Sequence, residues 1–174
     1  AQIDSFAGLE ISEQPNWALA SISARRGQII AVQAAAVTLL GTKLPHVGQS
    51  ASGNAMTVFW IGPDQWMVEA DLSSHENLAS MLKMSFQANA SVTEQTDGWA
   101  RFDVKGPHLV TLSERLCPLH IKKMTSGDSS RTVIDHLSCF VICRIPSQHV
   151  SVLCPRSGTA SLHHTLCVTA ASLG

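Results

Sequence analysis

Histidine and cysteine have the most chemistry to offer in this chain, with eight and five copies among 174 residues. Their spacing argues against a shared metal or a proton relay. His163 and His164 are adjacent, so on a helix they point about 100° apart. Cys139 and Cys143 lie in a strand-like run, where residues four apart share a face but stand about 13 Å from each other, too far for one tetrahedral ion. His136 and His149 fall on neighbouring extended segments, and strand pairing could bring them together. Cys117 precedes Pro118 at the end of a helix-spaced run, where the helix dipole disfavours a thiolate. His75 stands at a capping position and His108 in a first helical turn. The thirteen acids are dispersed, and a close pair such as Glu69 and Asp71 falls on one strand edge rather than across a cleft. No P-loop, dinucleotide fingerprint, His-Glu-x-x-His or nucleophile elbow occurs. Gly106-Pro107 could place an anion at a helix N-terminus, but helix initiation by proline accounts for the pair without a ligand. The expectation is a chain with no catalytic, cofactor-binding or metal-binding residues of its own.

The totals point the same way. Apolar residues make up 45% of the chain and charged residues only 14%, against a usual charged share of about 25%. A solitary soluble domain normally carries a mixed charged surface. So sparse a supply of charge leads to the expectation that another protein covers part of the exterior. A net charge of -1 gives no electrostatic case for nucleic acid or an anionic membrane as partner. The apolar run 29–40, interrupted by Gln33 and Thr38, is too short to span a bilayer. With no secretory layout and no repeated cysteine spacing, the expected location is cytoplasmic, with free thiols.

Residues 1–14 lack periodicity and read as an N-terminal arm. A strand signal follows at 17–22, then helical spacing through Ile29, Val32, Ala36, Val37 and Leu40, with Gly41 placed as a C-terminal cap. A Gly/Ser-rich loop at 50–53 precedes strands at 56–61 and 65–70, joined by the turn residues Gly62-Pro63-Asp64. Ser73-Ser74-His75-Glu76 reads as a capping box opening a helix with Leu78, Met81, Leu82 and Phe86 on one face. A strand at 91–96 closes a β-α-β-β-α-β unit. The order then restarts. Trp99-Ala100 resembles Trp17-Ala18, and Pro107 starts a helix faced by Leu109, Leu112 and Leu116. Leu116-Cys117-Pro118-Leu119-His120 echoes Thr42-Lys43-Leu44-Pro45-His46. Strands at 132–137, 139–145 and 149–153 and a helix at 157–171 complete the second half. The predicted fold is α+β, two ferredoxin-like (split βαβ) units related by internal duplication, at 15–97 and 98–174.

Two segments carry a family resemblance. One is the hairpin Trp60-Ile61-Gly62-Pro63-Asp64-Gln65-Trp66. The other runs from Arg101-Phe102-Asp103-Val104-Lys105-Gly106-Pro107 through the leucine-faced helix into Leu116-Cys117-Pro118-Leu119. Together they resemble the gamma subunits of heterotetrameric sarcosine oxidase, whose fold is aminomethyltransferase-like. The resemblance implies a non-catalytic subunit of an enzyme that oxidises sarcosine to glycine, hydrogen peroxide and a folate-bound one-carbon unit. It implies alpha, beta and delta subunits as partners, which hold FAD, FMN, NAD, zinc and tetrahydrofolate. A related N-methyl amino acid dehydrogenase subunit and a stand-alone folate-binding, aminomethyltransferase-like protein are the alternatives. Within the hairpin, Pro63 fixes the turn, so Trp60, Pro63, Asp64 and Trp66 are the expected points of subunit contact.

Overall fold

The computed structural model describes residues 2–173. In chain order its elements are β1 (Ile3–Phe6), β2 (Leu9–Glu13), β3 (Trp17–Ala24), α1 (Ile29–Leu40), β4 (Ser50–Gly53), β5 (Met56–Gly62) and β6 (Gln65–Asp71). There follow α2 (Leu78–Phe86), β7 (Ala90–Glu94), β8 (Trp99–Lys105), α3 (Leu109–Leu116), β9 (Ser129–Ile134), β10 (Leu137–Ile145), β11 (His149–Pro155) and α4 (Thr159–Ala171). They form two units. One runs from Asn16 to Thr96; the other joins the residues up to Pro15 with those from Asp97 onward.

The inner unit builds an antiparallel sheet in the order β4-β5-β6-β3-β7. Period-2 alternation along β3 and β6 sends Ala18, Ala20, Ile22, Trp66, Val68 and Ala70 to one face. There they meet Val32, Ala36 and Leu40 of α1 and Leu78, Leu82 and Phe86 of α2 in one buried cluster. The helical spacing of α1 is as expected, and Gly41 ends it in the left-handed conformation at φ 69°. Gln33 interrupts the apolar run for a reason. Its side-chain amide accepts from the Leu44 N–H at 3.0 Å and donates to the Leu44 carbonyl at 3.3 Å, fixing the loop after the helix.

The outer unit repeats this plan with one substitution. Its sheet order is β1-β2-β8-β11-β10-β9, again antiparallel throughout. Aligning β3-β6-β5-β4 with β8-β11-β10-β9 leaves β2 where the inner unit has β7. The strand that should follow the last helix is thus supplied from the opposite end of the chain. Both units turn between their last two sheet positions through paired left-handed residues, Asn54-Ala55 and Asp135-His136, as a two-residue hairpin demands. The mixed α+β class and the two ferredoxin-like sheets agree with the sequence.

Several local expectations change. Residues 2–14 are no arm, Ala1 lying outside the described residues: Leu9 and Ile11 alternate into the outer core, and Glu10–Glu13 pair with Lys105–Phe102. The predicted loop at 50–53 is strand β4, paired with Met56–Phe59. The capping box does not form. α2 begins at Leu78, and Ser73 instead donates its N–H to Asp71 Oδ1 in a turn. Pro107 precedes α3 rather than opening it, because His108 occupies the N-cap. The break between β9 and β10 falls at Asp135-His136 rather than at Ser138.

Gly106 has a task other than anion binding. Its φ is 131°, and a Cβ there would stand 2.3 Å from the Gly8 carbonyl oxygen in the β1–β2 turn. The same carbonyl accepts from the His108 N–H at 3.2 Å. Gly106→Ala is therefore expected to lower unfolding free energy by about 1–3 kcal/mol, measured by urea titration. A variant as stable as the parent would show that this turn tolerates displacement.

Candidate functional site

The expected contact hairpin sorts into an inside and an outside. Trp60 and Trp66 are cross-strand partners on β5 and β6 and so share a face, the one that packs on the helices. Trp66 is 4% exposed and donates its indole N–H to the Pro45 carbonyl at 2.9 Å. That corrects its assignment as a contact residue: a buried indole with a satisfied donor belongs to the core. Trp60 is half-buried against the same cluster. At the tip, Pro63 and Asp64 are exposed, and the Asp64 carbonyl accepts from the Ala24 N–H at 2.9 Å.

A buried polar chain crosses the outer sheet. On β8 the apolar residues Ala100, Phe102 and Val104 enter the core, so Arg101 and Asp103 occupy the opposite face. Both are more than nine-tenths buried. Arg101 donates from Nε to Asp103 Oδ1 at 3.0 Å and from a terminal nitrogen to Oδ2 at 3.2 Å. The Ser151 hydroxyl donates to Oδ1 at 2.7 Å and accepts from Arg144 Nε at 2.9 Å. His149 Nε2 lies 3.3 Å from Oδ2, an ion-pair distance once the ring is protonated, though not directed as a hydrogen bond. Burial opposes ionisation of Asp103, but His149, the Arg101 guanidinium and the Ser151 hydroxyl outweigh it, so the carboxyl is held far below the usual carboxylate range. Serine, histidine and aspartate meet here without forming a nucleophilic triad. The histidine faces the carboxylate, and the serine hydroxyl is directed at that carboxylate rather than at the imidazole.

The other cluster lies where β1 meets α4. His163 Nε2 is 2.7 Å from Asp4 Oδ2 and 3.4 Å from Cys167 Sγ. His163 and Cys167 are one turn apart and share a helix face. The imidazole stacks on Phe102 with centroids 5.7 Å apart and planes 23° apart. Beside it opens a groove of about 400 Å³ lined by Gln2, Glu13, Arg156, Thr159 and His163, among others. His164, as its spacing predicts, points elsewhere and is exposed. Sequence reasoning missed this cluster. The His-x-x-x-Cys spacing was a legible signal, but Asp4 lay in a segment read as an arm.

The remaining candidates stay apart. His136 occupies the β9–β10 turn and His149 pairs at the far end of β10, so the strand separates them. Burial pushes the Cys139 thiol up to about 12, and it raises Cys117, Cys143 and Cys154 as well. Cys117 is disfavoured as a thiolate by burial, then, as well as by its place at a helix end. Among the described residues, no helix is long and apolar enough to cross a membrane.

No protein-family model matches the sequence, and no curated protein matches it. Solved structures do. A chain of heterotetrameric sarcosine oxidase from Corynebacterium sp. U-96, solved in complex with pyrrole 2-carboxylate, superposes with a TM-score of 0.83 at 19% identity. The match covers 98% of this chain and 87% of that one. The glycine cleavage system aminomethyltransferase T from Bartonella henselae superposes with a TM-score of 0.68 at 11% identity over 92% of this chain. This chain spans 46% of that protein's length. The chain has the fold of a subunit of heterotetrameric sarcosine oxidase, one it shares with part of an aminomethyltransferase.

Proposed function

We propose that the chain is a gamma-type, non-catalytic subunit of a heterotetrameric sarcosine oxidase, with the alpha, beta and delta subunits carrying the flavins, the dinucleotide, the zinc and the folate site of that enzyme. The carrying observation is the end-to-end correspondence with a sarcosine oxidase chain, 98% of one against 87% of the other. The surface supports assembly. α1 holds no charged residue, and its outward side presents Ile30, 83% exposed, with Ala34 and Val37 one and two turns on. An apolar helix face of this kind is what a partner subunit covers. A second reading, a folate-binding protein acting alone, rests on the fold shared with the aminomethyltransferase.

Co-expression with sarcosine oxidase alpha, beta and delta subunits tests the proposal. The expected result is a complex containing this chain, while the isolated chain shows no flavin absorbance and oxidises no sarcosine. Ile30→Glu should weaken assembly by about 2 kcal/mol or more. It should leave the isolated chain's stability within about 0.5 kcal/mol, since it removes no buried contact. Failure to assemble, with saturable tetrahydrofolate binding by the isolated chain, would favour the second reading.

A further inference from the structure

We propose that Asp4, His163 and Cys167 form a binding site for one Zn2+ ion. Among the described residues this is the one set of three histidine, cysteine and acidic side chains whose ligand atoms all lie within 4.8 Å of one another. It stands apart from the subunit reading above and from the zinc attributed there to another subunit.

The geometry distinguishes an ion site from a relay. In a cysteine–histidine–aspartate relay the acid holds one ring nitrogen and the thiol meets the other, so that a proton can pass through the ring. Here carboxylate and thiol both approach Nε2, at 2.7 and 3.4 Å. Three lone-pair donors converge on one point, and a single proton is all that now lies between carboxylate and imidazole. A cation placed there engages all three.

The sulfur–nitrogen separation suits zinc, and the nitrogen–oxygen one has to open. Bonds of about 2.3 Å to sulfur, 2.05 Å to nitrogen and 2.1 Å to oxygen, at tetrahedral angles, set S···N near ~3.6 Å and N···O near ~3.4 Å. The observed S···N is 3.4 Å. The carboxylate has to withdraw by roughly 0.7 Å from its 2.7 Å contact, and Asp4 stands on the sheet's terminal strand with solvent beside it. The imidazole needs no adjustment. It is stacked on buried Phe102, and its helix sets Cys167 one turn away on the same face. Thiolate, imidazole and carboxylate together select a borderline-soft ion over magnesium or calcium. A groove opens beside His163, so water can supply a fourth ligand. On binding, zinc displaces the proton between Asp4 and Nε2 and the Cys167 S–H bond breaks; nitrogen and sulfur donate their pairs to zinc, and the displaced protons leave to solvent.

The test uses the full chain without an affinity tag, stripped with a chelator and titrated with Zn2+ against a chromophoric competitor. One equivalent should bind, and Co2+ in its place should show a thiolate-to-cobalt charge-transfer band. Cys167→Ser and His163→Gln should each weaken binding by more than the roughly 10–100-fold that loss of an outer hydrogen-bond partner costs. Cys167→Ser should also abolish the cobalt band, and Cys117→Ser should bind as the parent does. Circular dichroism confirms that each variant is folded. Absence of stoichiometric binding at micromolar zinc, or an equivalent retained unchanged in either ligand variant, would overturn the proposal.

Discussion

Trp66→Ala is expected to destabilise the chain by about 3–5 kcal/mol, the range for removing a buried aromatic side chain. Trp66 is 4% exposed among Ala18, Val58, Val68 and the helices, so truncation opens a cavity between the sheet and the helices. It also strands the Pro45 carbonyl that now accepts the indole N–H. Trp60→Ala should cost less, because Trp60, the cross-strand partner of Trp66, is itself only half-buried. Urea unfolding of the isolated variants measures both. A Trp66→Ala chain within 1 kcal/mol of the parent that fails to assemble would return the indole to the surface role the sequence suggested.

Arg101→Leu should be comparably severe, at about 3–5 kcal/mol, because it leaves the Asp103 carboxylate buried without its counter-ion. The double variant Arg101→Leu, Asp103→Leu should recover much of that loss, since neither charge then needs compensation. The pair also sets a pH dependence. The Asp103 carboxyl is depressed in the folded chain. Its contribution is therefore present above the unfolded value near ~3.9 and is lost as pH falls below that toward the folded one. The parent should lose stability on acidification below about pH 4 more steeply than the double variant. Equal slopes, measured by denaturant titration across this range, would show that the pair is not the cause.

Regular pattern was readable where local periodicity and tertiary demand coincide. The spacing Ile29, Val32, Ala36, Leu40 with Gly41 beyond it needed no context to read as a capped helix, and α1 has those bounds. The restart at Trp99-Ala100 likewise located β8, and with it the repeat. Signals failed where a distant partner decides. Leu9 and Ile11 form too short an alternation to stand alone; pairing with β1 and with the distant β8 makes them a strand. Ser73 had the right neighbours for a cap, but the Asp71 carboxylate captured its N–H first. Asp135-His136 was opaque because neither residue is the glycine or asparagine that marks a two-residue turn. The Asp4, His163 and Cys167 cluster combined both difficulties. Its helical pair was visible, and its third member lay in a segment whose fold is settled by residues beyond Thr96.

That borrowed strand has a kinetic consequence. During synthesis β2 emerges before the inner unit and has to wait through the whole of it for β8, the strand it pairs with. The inner unit is continuous in sequence, so it can close on the ribosome while Leu9 and Ile11 remain unpaired. Its closure brings its own ends together, since the Gln95 N–H donates to the Leu19 carbonyl at 2.8 Å. The tether between β2 and β8 then shrinks from some eighty residues to about ten, which lowers the loop-closure cost of the later pairing by about 2 kcal/mol. The early-folding half thus acts as a clamp on the late one. The two folding equilibria are coupled through the chain itself, and loosening the inner unit should speed the release of β2 even with every contact of the outer sheet intact.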